Sequence, residues 1–269
     1  MVRMKRRQVK HIAMFSGGAA SAYVAYLMVQ RHGLDNCLLF FTDTLWEHPD
    51  NYRFMYDVAD YIGIEFKHVM DTRTPETVFV ESRFLGNSRL AKCSSELKVK
   101  QTVIFIEELR NQGYEPILYF GIGPHEKQRQ ENLIEFYAHQ ALEPVEARFP
   151  LIDSNLRDKN LKEIIENEWK IRLPEMYYLG FSHANCGGRC VRGGLSHYVH
   201  LYKTWPDVYQ QQEEMENRLR ETLGNVTILK RDSVPLTLEQ FREEIEAGIN
   251  LGSSDPEEND AVPCVCVFN

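Results

Sequence analysis

The sequence contains no apolar run approaching the ~20 residues a membrane-spanning helix needs, which argues against a helical span. Its basic opening, residues 1–10, leads into only a short apolar run without the pattern of a secretory cleavage site, so a cytoplasmic protein is expected. Positive charge is not in excess either. The 31 Lys and Arg against 39 Asp and Glu give a net charge of −8, which argues against a globally cationic nucleic-acid coat. Short basic clusters, Lys5-Arg6-Arg7 and Arg189 with Arg192, leave local contacts to nucleic acid open. Two common phosphate-loop signatures are missing: the chain's first glycine turn is neither a G-x-G-x-x-G nor a loop ending in Gly-Lys-Ser/Thr. Cysteine is sparse, six in 269 residues, and in an intracellular chain of this size such thiols are buried, metal-binding or catalytic rather than disulfide-paired. With 43% apolar residues the chain can bury a full core as one large domain or as a domain with an appendage.

What is present is an alternation of buried strands and amphipathic helices. His11–Phe15 has the length and apolarity of a buried strand, Ala22–Val29 reads as a largely buried helix, and Cys37–Asp43 is a continuous apolar run that ends polar. Residues 51–63 place Tyr52, Met55, Val58, Ala59 and Ile62 on one helical face, with Gly63 as a stop. Glu65–Val69 reads as a third strand. Strand and helix alternating over about seventy residues predict βαβ units and a parallel sheet, whose ligands gather at the strands' carboxyl ends. A further strand is expected over Ile117–Gly123 and a helix, broken near Pro206, over His197–Leu223. Thr237 three residues before Gln240 signals a capped last helix, and residues 252–260 read as an acidic linker to a thiol-bearing tail with Cys264 and Cys266.

Several constellations fall where such a sheet would gather them. Between the first strand and helix lies Ser16-Gly17-Gly18-Ala19-Ala20-Ser21: glycines admit close backbone approach, and the first helical turn's N–H groups and dipole favour an anion. Asp43 and Thr44 end the second strand. Cys93 stands near a helix start with Lys98 and Lys100 close by, a setting that lowers a thiol's pKa and offers counter-charge to phosphate or sulfate. Gly121 is followed by Glu126 and Arg129, which share one helical face. Cys186-Gly187-Gly188-Arg189-Cys190 brings two thiols round a glycine turn toward one ion, while Cys37, within an apolar strand, reads as core. Cys93 is the natural third ligand, and a fourth position falls to Cys264, Cys266, a histidine such as His183 or an exchangeable ligand.

The pattern Ser16-Gly17-Gly18-x-x-Ser21 resembles the PP-loop of the adenine nucleotide alpha-hydrolase and phosphoadenylylsulfate (PAPS) reductase superfamily, with Ala20 where members typically carry Asp. Residues 42–54 resemble that family's Asp-Thr-Gly-x-x-x-Pro-Glu-Thr-x-x-Phe stretch, with Leu45 in place of the glycine. Cys93 to Lys98 resembles its Cys-x-x-x-Leu-Lys-x-x-Pro signature, with Gln101 in place of Pro. Gly121 to Arg129 resembles its Gly-x-x-x-x-Glu-x-x-Arg element, Arg148–Asp153 resembles its last sheet strand, which implies a strand there and a helix after it over Leu156–Trp169, and the Cys186–Cys190 spacing is one residue longer than its Cys-x-x-Cys.

The resemblance implies a doubly wound, mostly parallel five-stranded α/β sheet of order 3-2-1-4-5 with a helical C-terminal extension. Residues 1–195 would form the nucleotide-binding domain and 196–269 the extension with its Cys-containing tail. Ser16, Gly17, Gly18, Ser21, Asp43, Thr44, Gly121 and Glu126 would bind ATP or a related adenine nucleotide, with Mg²⁺ as a possible companion. Cys93, Lys98 and Arg129 would be catalytic, and Cys93, Cys186, Cys190 and Cys266 would hold a [4Fe-4S] cluster or zinc. The implied enzyme cleaves at the alpha phosphate to activate an acceptor by adenylation, with sulfur transfer as one outcome; the acceptor is open and includes nucleic acid or a nucleotide. A sulfonucleotide reductase working through a cysteine thiolate is the alternative, although Cys264-Val265-Cys266 does not match that family's Glu-Cys-Gly-x-His tail. A non-catalytic nucleotide-binding module is a further alternative, and a homo-oligomer is possible.

Overall fold

The computed structural model describes residues 7–85, 91–139, 143–153 and 160–249. Its centre is a five-stranded, all-parallel sheet in the order β3-β2-β1-β4-β5. The strands are β1 (Gln8–Met14), β2 (Cys37–Asp43), β3 (Phe66–Met70), β4 (Tyr114–Tyr119) and β5 (Glu146–Arg148). Every residue of β2 is buried, which accounts for its unbroken apolar run. The chain winds outward from β1 through β2 to β3, then returns to lay β4 on the other side of β1. The β1/β4 boundary is therefore the topological switch point, where an open sheet forms a crevice at its carboxyl edge.

Helices cover both faces. On one, α1 (Ala19–His32), α2 (Pro49–Ile62) and residues of α8 (Leu161–Asn167) bury Ala22, Ala25, Met28, Phe54, Met55 and Ile165 against Leu39 and Phe41. On the other, α5 (Lys100–Asn111) and α6 (Lys127–His139) pack Phe105, Ile106, Leu133 and Tyr137 on Ile12, Phe40 and Leu118. Short helices α3 (Pro75–Ser82) and α4 (Lys92–Ser94) precede α5; α7 (Pro150–Asp153) and α9 (Glu175–Tyr178) flank α8.

The chain ends, within the described residues, in α10 (Leu195–Thr204), α11 (Pro206–Leu223), a two-stranded hairpin β6 (Leu229–Arg231) and β7 (Val234–Leu236), and α12 (Leu238–Glu246). The break between α10 and α11 falls at Trp205-Pro206, and the Thr237–Gln240 capping box is formed. These helices bury Tyr198, Leu201, Tyr209, Leu219 and Phe241 in one cluster with Phe79, Met176 and Phe181 from earlier in the chain.

The departures from the sequence reading that bear on the sheet lie on its β4 side. β4 begins at Tyr114, where it first pairs with Gln8 of β1, and ends at Tyr119, the last residue in register with both β1 and β5. Pro116 is tolerated because β5 does not reach it. The expected strand over Arg148–Asp153 is instead the end of β5 followed by the helical turn α7, with Pro150 at its first position, where a missing N–H costs nothing. The helix expected over Leu156–Trp169 is α8, Leu161–Asn167, and the start of that expectation lies outside the described residues. The linker and tail at 252–269, with Cys264 and Cys266, also lie outside them.

Candidate active site

The glycine turn follows β1 at the switch point. Gly18 is the N-cap of α1, with no side-chain cap and no acidic residue in the first turn, so the helix presents its amino end without a competing carboxylate. Gly17 sits at φ +75, and a Cβ there would lie 2.3 Å from Asn51 Oδ1, so both conformation and space require glycine. Ser21 is buried and serves the turn itself: its hydroxyl donates to the Gly18 carbonyl at 2.9 Å and accepts from the Ser16 amide at 3.3 Å. Ser16 Oγ lies 3.3 Å from Ser21 Oγ. The Ala19 amide donates to the phenol oxygen of Tyr177, and that oxygen would lie 3.3 Å from a Cβ at Gly18. Tyr177 thus stands at the loop, with Lys162 Nζ 3.9 Å from its ring centroid. Gly121 backs the loop: a Cβ there would lie 2.7 Å from Ser21 N, so β4 can press against the first turn of α1 only without a side chain.

Asp43, at the end of β2, accepts from Leu45 N at 2.7 Å, from the Tyr52 hydroxyl at 2.8 Å and bonds His68 Nε2 at 2.9 Å. It therefore shapes the edge on which Thr44 stands. Leu45 adopts φ +62, the left-handed conformation glycine takes readily, so the backbone keeps a glycine-like path. On the β4 side, Glu126 accepts from the Gly123 amide at 2.9 Å and pairs with Arg129, which is buried, so the expected mutual support of Glu126 and Arg129 is present.

The three described candidate ligands come together. Cys93, Cys186 and Cys190 line one cavity with Thr44, Lys98 and Arg192. Lys98 belongs to a π-helical turn, Ser95–Val99, between α4 and α5, an arrangement frequent at functional sites. Cys186 at φ +58 and Gly187 at φ +53 are both left-handed. The turn is anchored by His197 Nε2 on the Gly188 carbonyl at 2.8 Å and by the Tyr198 hydroxyl on the Cys190 carbonyl at 3.2 Å. Among the described residues, no three His, Cys, Asp or Glu are arranged to hold a single metal ion. The three thiols share that cavity with one lysine and one arginine, Lys98 and Arg192.

Sequence reasoning did not single out Glu47 and Asn51. Glu47 Oε2 accepts from Cys186 N at 2.9 Å and from Asn51 Nδ2 at 3.0 Å, so one carboxylate oxygen joins the cysteine turn to the residue packed on Gly17. Burial pushes the Glu47 pKa up to about 7, against the pull of Lys98 and these two hydrogen bonds. The available signal was Glu and Asn four apart across a helix start, next to Trp46, within the very segment that carries Asp43 and Thr44.

No family model matches the chain, and neither does any curated protein. Among solved structures the chain is similar to the phosphoadenylyl-sulfate (PAPS) reductase of Candida auris in its phosphate complex. Identity is 18%, over 67% of this chain and 81% of that one, with a TM-score of 0.41. It is also similar to the U34-tRNA thiolase NcsA of Methanococcus maripaludis with its [4Fe-4S] cluster, at 15% identity over 83% of this chain and 76% of that one, with a TM-score of 0.43. Among the described residues no helix is long and apolar enough to cross a membrane.

Proposed function

We propose that this chain is a PP-loop enzyme of the PAPS-reductase-like kind, which binds ATP or a related adenine nucleotide and cleaves it at the alpha phosphate to activate an acceptor. One arrangement carries the reading: a glycine turn and a helix amino end free of acidic residues at the switch point, with a three-thiol cavity joined to them through residues 43–51. An acceptor oxygen attacks the alpha phosphorus, the bond to the bridging oxygen breaks, and pyrophosphate leaves toward Gly17, Gly18 and the amino end of α1. Ser16 donates to its oxygens, while Lys98 and Arg129 offset the negative charge that develops in transfer. Mg²⁺ would accompany the phosphates. Cys93, Cys186 and Cys190, with Cys266 as the proposed fourth ligand, would hold a [4Fe-4S] cluster, which supplies electron or sulfur chemistry when bound. Cys93 is the thiol set closest in sequence to Lys98, and Lys98 and Arg192 beside it also suit a sulfate group. That favours, as a second reading, sulfonucleotide reduction by a cysteine thiolate.

The test is equilibrium dialysis with ATP and with adenylyl sulfate on anaerobically purified protein, followed by pyrophosphate and sulfite assays. Binding of ATP with pyrophosphate release is expected. Gly17→Ala should weaken binding at least tenfold, since its Cβ would meet Asn51 and its φ is left-handed. Sulfite from adenylyl sulfate plus a dithiol donor would select the reductase, binding without either product a non-catalytic module, and no nucleotide binding would end the proposal.

A further inference from the structure

Glu47 and Asn51 are more deeply committed than a helix start requires. Among the described residues, Thr44 Oγ1, Glu47 Oε1 and Asn51 Oδ1 are buried without a hydrogen-bond partner. Asn51 is 0% exposed and Glu47 7%. Three unmet buried groups on one eight-residue segment call for an explanation beyond packing.

We propose that Glu47 and Asn51 couple the glycine loop to the cysteine turn, so that a nucleotide phosphate seated at Gly17 changes the reactivity of Cys186 and Cys190. The proposal rests on the nucleotide reading above and adds to it a regulatory link.

The link is a continuous series of contacts. At one end, the left-handed Cys186 is a strained backbone position, which persists only where its surroundings hold it. Its holders are Glu47 Oε2, on the Cys186 amide, and Trp46, whose carbonyl oxygen lies 2.7 Å from where a Cβ on Gly187 would be. In the middle, the same carboxylate oxygen accepts from Asn51 Nδ2. At the other end, the Asn51 amide fills the space beside Gly17. Asn51 is fully enclosed, so it cannot shift away from Gly17 without moving the carboxylate behind it. A phosphate at the loop acts on it by moving Gly17, against which the Asn51 amide is packed. That displaces Glu47 and with it the support of the strained turn. Because equilibrium coupling is reciprocal, a group bound at the cysteine turn must alter nucleotide affinity by the factor by which the nucleotide alters the affinity for that group.

The experiment measures iodoacetamide alkylation of the protein as purified, by peptide mass spectrometry, with and without saturating ATP, alongside ATP affinity by equilibrium dialysis. Cys37, buried within β2, reports any loss of folding. In the wild type, ATP is expected to change the rates at Cys186 and Cys190 about tenfold. Glu47→Gln keeps an acceptor oxygen for the Cys186 amide and should preserve most of that change. Glu47→Ala and Asn51→Ala should still bind ATP but show less than a twofold change. If Glu47→Ala exposes Cys37, Glu47→Asp, one methylene too short to span both partners, replaces it with the same expectation. An ATP effect in the alanine variants equal to that of the wild type, or none in a wild type that binds ATP, overturns the coupling. A wild type that fails to bind ATP overturns the nucleotide reading and the coupling with it.

Discussion

Leu45 shows how a single residue can disagree with its backbone and still be tolerated. Its φ of +62 is costly for a side chain with a Cβ, roughly 1–2 kcal/mol, and it is held there by the Asp43 carboxylate on its amide. Replacing a half-exposed Leu with Gly normally sacrifices packing and adds chain entropy to the unfolded state. Here relief of the left-handed strain offsets both. Leu45→Gly should therefore unfold in urea within about 0.5 kcal/mol of the wild type, and a loss above roughly 1 kcal/mol would show that the position is not strained. Residues of this kind separate what was legible in the sequence from what was not. The Glu126–Arg129 pair was legible from helical spacing, and the place of Asp43 at the end of β2 from the polar end of an apolar run. Glu47 and Asn51 were not, because their significance is burial, and burial arises only when the cysteine turn, 139 residues beyond Glu47, folds against them.

At the scale of elements, the strands were legible wherever both faces are buried, since an unbroken apolar run such as Cys37–Phe41 has few other uses. The sheet's far edge was not, because Phe149-Pro150-Leu151-Ile152 is equally apolar whether it extends or coils, and only Pro150's place at the first turn of α7 decides. The C-terminal hairpin, three residues per strand, gives no periodic signal at all. One side chain reaches both of its ends. Glu216 of α11, wholly buried, accepts from Ile228 N at 2.6 Å with one oxygen and from Leu238 N at 2.7 Å with the other, pinning both the entry to β6 and the start of α12. Burial raises its pKa, opposed by those two amides. Because both oxygens accept, Gln is no substitute: its amide nitrogen would face a backbone N–H. Glu216→Ala and Glu216→Gln should each lower stability by roughly 2–4 kcal/mol, read from urea midpoints with unchanged m-values. A neutral Gln variant would mean that one of the two bonds contributes little.

The molecule as a whole is fastened at the opposite end of α1 from the glycine turn. His32, the last residue of that helix, stacks on His11 of β1 with ring centroids 3.7 Å apart. The Tyr119 hydroxyl, at the end of β4, lies 2.9 Å from His11 Nδ1 and 2.9 Å from His32 Nε2, and accepts from Arg148 of β5 at 3.1 Å. One phenol has one proton, so it can donate to only one imidazole, and a doubly charged stacked pair beside Arg148 would be repulsive. Burial first, then His32 and Arg148, hold the His11 pKa down at about 4 despite Glu146; burial, Arg148 and Arg31 lower His32. In the unfolded chain a histidine titrates near 6.5. Between those values the unfolded state binds the additional proton, so the contribution is fully present above about pH 6.5 and is lost as pH falls toward 4. At 1.36 kcal/mol per unit, His11 alone accounts for up to about 3 kcal/mol of acid destabilisation. Carboxylates add their own slope, so the decisive quantity is a difference between proteins. His11→Asn should be less stable than the wild type at pH 7.5, where the network is intact. By pH 4.5 that gap should have closed by at least 1 kcal/mol, in urea unfolding followed by fluorescence. Parallel pH profiles for the two proteins would show that His11 titrates alike folded and unfolded. If the gap closes, acid acts on the helix that carries the glycine turn, and ATP affinity in the wild type should fall over the same interval while that of His11→Asn changes less.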